Sequence, residues 1–509
     1  MKILAVLLAF VLVATACGGD DDGGATGPTS TTSTSEAAPT TTEGTTGTTA
    51  PGSSPSTGAA AASTTTSVAP PPATLSDWSD CGDVQCATLT VPLDYTDPDG
   101  EMIDIPITRR PASGERIGVL LANPGGPGAP GTDFATGSLV SGDLRSRFDF
   151  VTWDPRGTGG TTTLTCAEPF DALWQVDSGP DDAAEQAQLD QAAAAVADEC
   201  EARHGDVLAH VDTESTVADI DALRRALGED TISYIGFSYG TYLGLRYAER
   251  YGGNVRAMVL DGVVDPDQDL EAFLSGQLRG FLAVYDDMVA ACNGGCPLDD
   301  ADATLRRVLA DAESQPIPTA TGRTLGPADI VTGTFYSAYG YSSRSWSDYY
   351  DALADAEKGD GTALLSLADR YHDLVNFPAY VATTCIDSPG PTTPEEFAAM
   401  ADRLARIDAR FGAGIANELA PCGAWAVATT APLTDVTAPD APAILVIGNT
   451  GDQATPYENS VEIADELTQS ALLTLDGTGH LSYSRSSCVQ NTADRYLIDL
   501  ALPDDGTVC

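Results

Sequence analysis

The segment Gly236-Phe237-Ser238-Tyr239-Gly240 sets a serine between two glycines. A serine hydroxyl attacks a carbonyl only where a base takes its proton and backbone N–H groups hold the oxyanion that forms. The Gly-x-Ser-x-Gly spacing suits a sharp strand-to-helix turn, because side chains flanking the serine would strike neighbouring backbone. Such a turn stands the hydroxyl at the head of a helix, whose N-terminal amides favour developing negative charge. The first oxyanion donor is then the N–H of Tyr239. A second glycine-rich turn, Asn123-Pro124-Gly125-Gly126-Pro127-Gly128, offers Gly126 as the other donor, with Gly125 as the alternative. It lacks the Gly-Lys-Ser/Thr ending of a phosphate-binding loop.

The base must be one of four histidines. His204 and His210 precede Ser238, and His372 lies in the helix-like ADRYHDLV, where it reads as a surface residue. His480, in Asp476-Gly477-Thr478-Gly479-His480, follows the apolar run 471–475 on a glycine loop that can aim an imidazole at the serine. A known chain order for such sites is nucleophile, acid, histidine. Asp452 follows the apolar run AILVI at 443–447 and is the candidate acid, and Asp261, after Ala257–Leu260, is the runner-up. Asp476 is too close to His480 in sequence to orient it.

These residues need a sheet to carry them. Short apolar runs at 118–122, 148–153, 232–235, 257–260, 443–447 and 471–475 read as buried strands, and STVADIDALRRALG before the elbow reads as an amphipathic crossover helix. Arg156 and Asp154 in WDPRGTG read as braces for the loops around the site, and Asp219 and Asp221 as residues of a solvated helix face. Between Val263 and Ala443 lie 179 residues, too many for a crossover connection. They read as an inserted, mainly helical cap. Its aromatics Phe335, Tyr336, Tyr339, Tyr341, Trp346, Tyr349 and Tyr350 form either the cap's own core or an apolar wall over the substrate.

The chain has 25 Lys+Arg against 74 Asp+Glu in 509 residues, a net charge of -49. That balance repels nucleic acid and anionic lipid headgroups, which excludes nucleic-acid partners. Cys17 apart, ten cysteines remain, consistent with five disulfides made in an oxidising compartment. Pairing sequence neighbours gives Cys81-Cys86, Cys166-Cys200, Cys292-Cys296, Cys385-Cys422 and Cys488-Cys509. No paired Cys-x-x-Cys knuckles accompany them, so no structural metal is expected, and the serine chemistry needs no cofactor. Residues 1–16, MKILAVLLAFVLVATA, have the form of a signal peptide. Residues 17–74 are a Thr/Ser/Pro/Gly stretch without Lys or Arg, expected to be a disordered linker.

The motifs NPGGPG at 123–128, WDPRGTG at 153–159, GFSYGTYLG at 236–244 and PAILVIGNTGDQATPYENS with DGTGH and a terminal TVC together resemble the secreted tripeptidyl aminopeptidases, relatives of proline iminopeptidase among the α/β-hydrolases. The resemblance runs from about Cys81 to Cys509. It implies a hydrolase core at 75–265, a cap insertion at 266–439 and a TAP-like C-terminal part of the core at 440–509. It further implies a Ser238, Asp452, His480 triad, disulfides and export. Ala14-Thr15-Ala16-Cys17 resembles a lipobox, so Cys17 would carry acyl chains, anchoring the protein outside the cytoplasm unless it is secreted. The expected activity is release of short peptides from a free N-terminus, with a lid-bearing carboxylesterase or lipase as one alternative and a non-catalytic solute-binding lipoprotein as another. For a peptide amine the candidate partner is Asp387, two residues after Cys385, which resembles the acid that follows a cysteine in relatives' caps.

Overall fold

A computed structural model describes residues 71–137, 140–166, 168, 170–292, 295–340, 344–429 and 433–509. The signal-peptide reading, Cys17, Tyr341 and nearly all of the linker lie outside them. Among the described residues no helix is long and apolar enough to cross a membrane.

The sheet begins antiparallel and turns parallel. β1 (Thr74–Leu75), β2 (Ser79–Asp80), β3 (Gln85–Pro92) and β4 (Met102–Arg110) form its antiparallel end. The parallel part comprises β5 (Gly118–Asn123), β6 (Phe148–Trp153), β7 (Ile232–Phe237), β8 (Val255–Asp261), β11 (Ile444–Gly451), β12 (Ser470–Thr478) and β13 (Thr507–Val508). Their order is β1-β3-β4-β6-β5-β7-β8-β11-β12-β13, with β2 on β3, and a separate two-strand pair joins β9 (Ile317–Pro318) to β10 (Thr324–Leu325).

Every residue of β5 and β7 is buried, as expected of parallel strands covered on both faces. Alternation sorts them. Val119, Leu121 and Tyr234 meet the crossover helix Thr213–Ala226 and the elbow helix Tyr239–Tyr251 on one face, and Leu120, Ile235 and Phe237 meet Ser487–Asp499 on the other. The register pairs Phe237 with Asp261 and Asp261 with Ile447. The C-terminal ends of β7, β8 and β11 are therefore neighbours, the edge where open α/β sheets place their ligands. This is an α/β-hydrolase sheet.

The helices between β8 and β11 have a core of their own, in which Phe281 packs on Phe335 at 5.2 Å and Phe411 at 4.8 Å. Leu189, Val196 and Cys200 of helix Ala183–His204, well upstream of β8, join the same cluster. The helical layer thus draws on two stretches of sequence. The five bonded cysteine pairs are the sequence neighbours, with Cα–Cα distances between 4.9 and 5.9 Å. Cys166–Cys200 fastens the upstream helix and Cys385–Cys422 ties two parts of the layer.

Two sequence readings are corrected. Asp219 and Asp221 are buried. Asp219 accepts a two-pronged contact from Arg156 (2.6 and 2.8 Å) and a hydrogen bond from the Tyr95 hydroxyl, while Arg156 also donates to the Pro92 and Leu93 carbonyls. His372 is buried as well, its ring stacked on Trp174 at 3.6 Å, and burial pushes its pKa down to about 3.

Candidate active site

The chain leaves β7 at Phe237 and enters the elbow helix at Tyr239. Between them Ser238 has φ 54° and ψ -126°, a conformation a non-glycine residue holds only where its surroundings impose it. The flanking glycines are sterically required: a Cβ on Gly236 would lie 2.3 Å from Gly240 O, and one on Gly240 2.7 Å from Asn123 O. The loop after β5 packs directly on this turn, since a Cβ on Gly125 would come within 2.9 Å of Ser238 Cβ and 3.3 Å of Tyr239 N. The Gly125 N–H donates to Asn123 Oδ1 at 2.9 Å, which favours Gly126 over Gly125 as the second oxyanion donor.

The loop after β11 carries Asp452 and the loop after β12 carries His480. His480 Nδ1 lies 2.9 Å from both Asp452 carboxylate oxygens. Those oxygens also accept the N–H groups of Ala454, Thr455 and Leu481 at 2.9 to 3.1 Å. Burial would raise the Asp452 carboxyl, but the imidazole's charge and these hydrogen bonds outweigh it and hold it below its usual value. The acid therefore stays ionised beside the imidazole, as orienting the ring and stabilising its cation require.

Asp261, the runner-up acid, has a different place. Its carbonyl accepts the Ser238 N–H at 3.0 Å, and its Oδ2 accepts the N–H groups of Ser482 and Tyr483 at 3.0 and 2.8 Å. Next to it Gly262 has φ 70°, and a Cβ there would stand 3.3 Å from His480 Cε1. One corner at the end of β8 thus holds the elbow and the histidine loop together. The Asp261 carboxyl is wholly enclosed, and burial raises it to about 6.

Asp387 ends helix Phe377–Asp387, below the surface. Its oxygens accept the Thr213 N–H (3.0 and 3.2 Å) and hydroxyl (2.7 Å), and Thr213 Oγ1 is 2.6 Å from the Tyr239 hydroxyl. Burial, helped by the charge of Asp212, pushes its carboxyl up to about 8. Of the aromatics read from the sequence, Phe335, Trp346, Tyr349 and Tyr350 are buried in the helical layer, whereas Tyr339 is partly exposed and meets the His480 ring edge-on at 5.9 Å.

A family model described as TAP-like protein matches residues 408–509, starting upstream of the 440 boundary read from the sequence. The chain is 36% identical to serine protease Hip1 of Mycobacterium tuberculosis over 84% of its length and 88% of that protein. It is 35% identical to carboxylesterase B of the same organism over 86% and 88%, and 31% identical to the tripeptidyl aminopeptidase of Streptomyces lividans over 83% and 84%. With the elbow, the His480–Asp452 pair and the sheet that carries them, these matches identify the chain as a member of the TAP-like α/β-hydrolases, the family of serine protease Hip1 and tripeptidyl aminopeptidase.

Proposed function

We propose that this chain is an exported serine peptidase that releases short peptides from the free N-terminus of its substrates. Ser238 attacks the scissile carbonyl while His480 takes its proton, Asp452 holds the imidazole and stabilises its cation, and the Gly126 and Tyr239 N–H groups receive the oxyanion. His480 returns the proton to the leaving amine, and water activated by the same ring frees the acyl group. The observation that carries this reading is the His480–Asp452 contact on loops docked at the β8 corner that also anchors the Ser238 N–H. The relatives named serine protease and tripeptidyl aminopeptidase support a peptide substrate. The one named carboxylesterase B supports a second reading, ester hydrolysis beneath the helical layer.

A fluorophosphonate probe labels only an activated serine. It should label the wild type and not Ser238→Ala, and a peptide-library digest read by mass spectrometry should show short fragments leaving free N-termini. Absence of labelling would overturn the enzyme reading in favour of a solute-binding protein, and cleavage of esters but no peptide would favour the esterase. Five disulfides support an oxidising compartment, and acyl mass on Cys17 of the mature chain would establish the anchor. An unmodified Cys17 would refute it.

A further inference from the structure

Helix Phe377–Asp387 of the inserted layer meets the active site at both of its ends. At its start the Asn376 N–H donates to the Gly128 carbonyl at 2.8 Å. A Cβ on Gly128 would lie 2.6 Å from Asn376 O and 3.2 Å from Tyr380 N, so the turn that carries Gly126 is pressed onto the first turn of this helix. The Asn376 side chain caps the helix by accepting the Ala379 N–H at 3.2 Å, and its amide donates to the Leu164 carbonyl at 3.1 Å. Midway along, the Thr383 hydroxyl donates to the Val211 carbonyl at 3.2 Å.

The last residue of the helix reaches the other side of the site. Asp387 Oδ1 accepts the N–H of Thr213, the first residue of the crossover helix, and Oδ2 accepts its hydroxyl. Thr213 Oγ1 in turn meets the Tyr239 hydroxyl at 2.6 Å. Thr213, Asp387 and Tyr239 are only 2%, 6% and 8% exposed, so water cannot readily replace these contacts. A buried phenol that loses its partner must shift or stay unsatisfied. The backbone of this same tyrosine carries the N–H next to the nucleophile. One helix therefore contacts both segments that supply the oxyanion donors.

We propose that Asp387 and Thr213 are positioning residues of the oxyanion hole: through the Tyr239 phenol they set the angle at which the Tyr239 N–H meets the developing charge. They touch no reacting atom. With both carboxylate oxygens engaged by Thr213 beneath the surface, Asp387 holds the elbow rather than a substrate amine. The assignment rests on the serine mechanism given above and applies to a peptide or an ester alike. Both donors are then held by one helix, and the hole is complete only when that helix is seated.

The test uses a chromogenic peptide amide with a free N-terminus, its acetylated twin and p-nitrophenyl acetate. Wild type is compared with Thr213→Val, Thr213→Ser, Asp387→Ala, Asp387→Asn and the double variant Thr213→Val with Asp387→Ala, near-ultraviolet circular dichroism verifying that each is folded. Removing an oxyanion donor outright lowers kcat by about 10²–10³, and a displaced donor keeps part of that. Thr213→Val and Asp387→Ala should therefore each lower kcat ~10-fold or more on every substrate the wild type cleaves, with KM little changed. The double variant should lose no more than the weaker single one, because both substitutions cut the same chain. Thr213→Ser keeps the hydroxyl and should recover most of the loss. Asp387→Asn should do the same, since burial holds the native carboxyl up to about 8 and a neutral amide can make the same bonds at about pH 7. An unchanged kcat in either Thr213→Val or Asp387→Ala, or losses that multiply in the double variant, would overturn the assignment. So would a loss in Asp387→Asn confined to KM for the free-amine peptide, which would make Asp387 the reader of the amine. If Asp387→Ala does not fold, Thr213→Val and Thr213→Ser decide by the same kcat criterion. A wild type that takes no fluorophosphonate label would instead refute the serine mechanism itself, and this role with it.

Discussion

Replacing Asp261 by Asn probes the corner that joins the two catalytic loops. The carboxyl titrates at about 6 in the fold against an ordinary 3.8. At ~1.4 kcal/mol per pH unit, ionising it there costs about 3 kcal/mol more than in the unfolded chain. A raised carboxyl stabilises the fold below its unfolded pKa, and that contribution is lost as pH rises through its folded value. The wild type should therefore lose about 3 kcal/mol through this group between pH 4 and pH 8, whereas Asp261→Asn has no such proton to lose. The Asn carbonyl oxygen can still accept the Ser482 and Tyr483 N–H groups, which share one oxygen in the native residue. Any cost of its NH2 group, set where Oδ1 lacks a partner, is independent of pH. Urea unfolding at a series of pH values, disulfides intact, measures the difference between the two proteins, in which titrating groups remote from Asp261 cancel. The variant should gain on the wild type between about pH 4 and pH 6 and hold a level advantage above about pH 7. A difference flat between about pH 4 and pH 6 would show that the carboxyl is not desolvated as described and refute the argument.

Asp452→Asn should lower kcat by ~10⁴ with little change in thermal unfolding, because it disturbs the hydrogen bond that orients the His480 ring; steady-state kinetics checks this, and a loss below tenfold would shift the acid's role elsewhere. Gly262→Ala should cut kcat/KM by ~10² or more, since at φ 70° its Cβ would lie 2.9 Å from Leu481 Cδ2 and Thr455 Oγ1 and 3.3 Å from His480 Cε1, shifting the histidine loop, while fluorophosphonate labelling slows in parallel. Arg156→Leu leaves Asp219 charged and buried without its partner and should cost ~3–5 kcal/mol, read as a lowered midpoint in urea. Ser238→Ala should lower turnover ~10⁶-fold at unchanged stability.

Strands β5 to β8, β11 and β12 were legible because each is a short, mainly apolar run between turn residues, and the elbow because its glycines have a local steric reason; β3 and β4, which alternate polar and apolar residues at the antiparallel end, were not read from the sequence. Chain order admits both Asp261 and Asp452, which lie between Ser238 and His480; Asp452 was preferred for its place after the run 443–447 and by resemblance, and its carboxylate lies 2.9 Å from His480 Nδ1. What stayed hidden was set by partners distant in sequence. Asp219 looks solvated on its helix until Arg156 and Tyr95 arrive from other loops. His372 looks like a surface residue until Trp174 lies flat against it. Helix Ala183–His204 is so rich in alanine that its apolar side gives little hint of joining the layer over the site.

The neighbouring of β8 and β11 has a consequence for biosynthesis. Val259, Leu260 and Asp261 pair with Leu445, Val446 and Ile447, yet all of the helical layer except helix Ala183–His204 and its neighbours is translated between them. A nascent chain that has emerged only as far as β8 therefore carries its serine on a sheet with an open edge. It has neither Asp452 nor His480, and the Asp261 side chain has no Ser482 or Tyr483 to hold. With the proposed triad the chain is thus inert until β11 and β12 arrive, so catalytic competence is withheld during synthesis by the order of the strands alone. The exposed edge of β8 is the corresponding vulnerability, the place where truncated or stalled chains should associate.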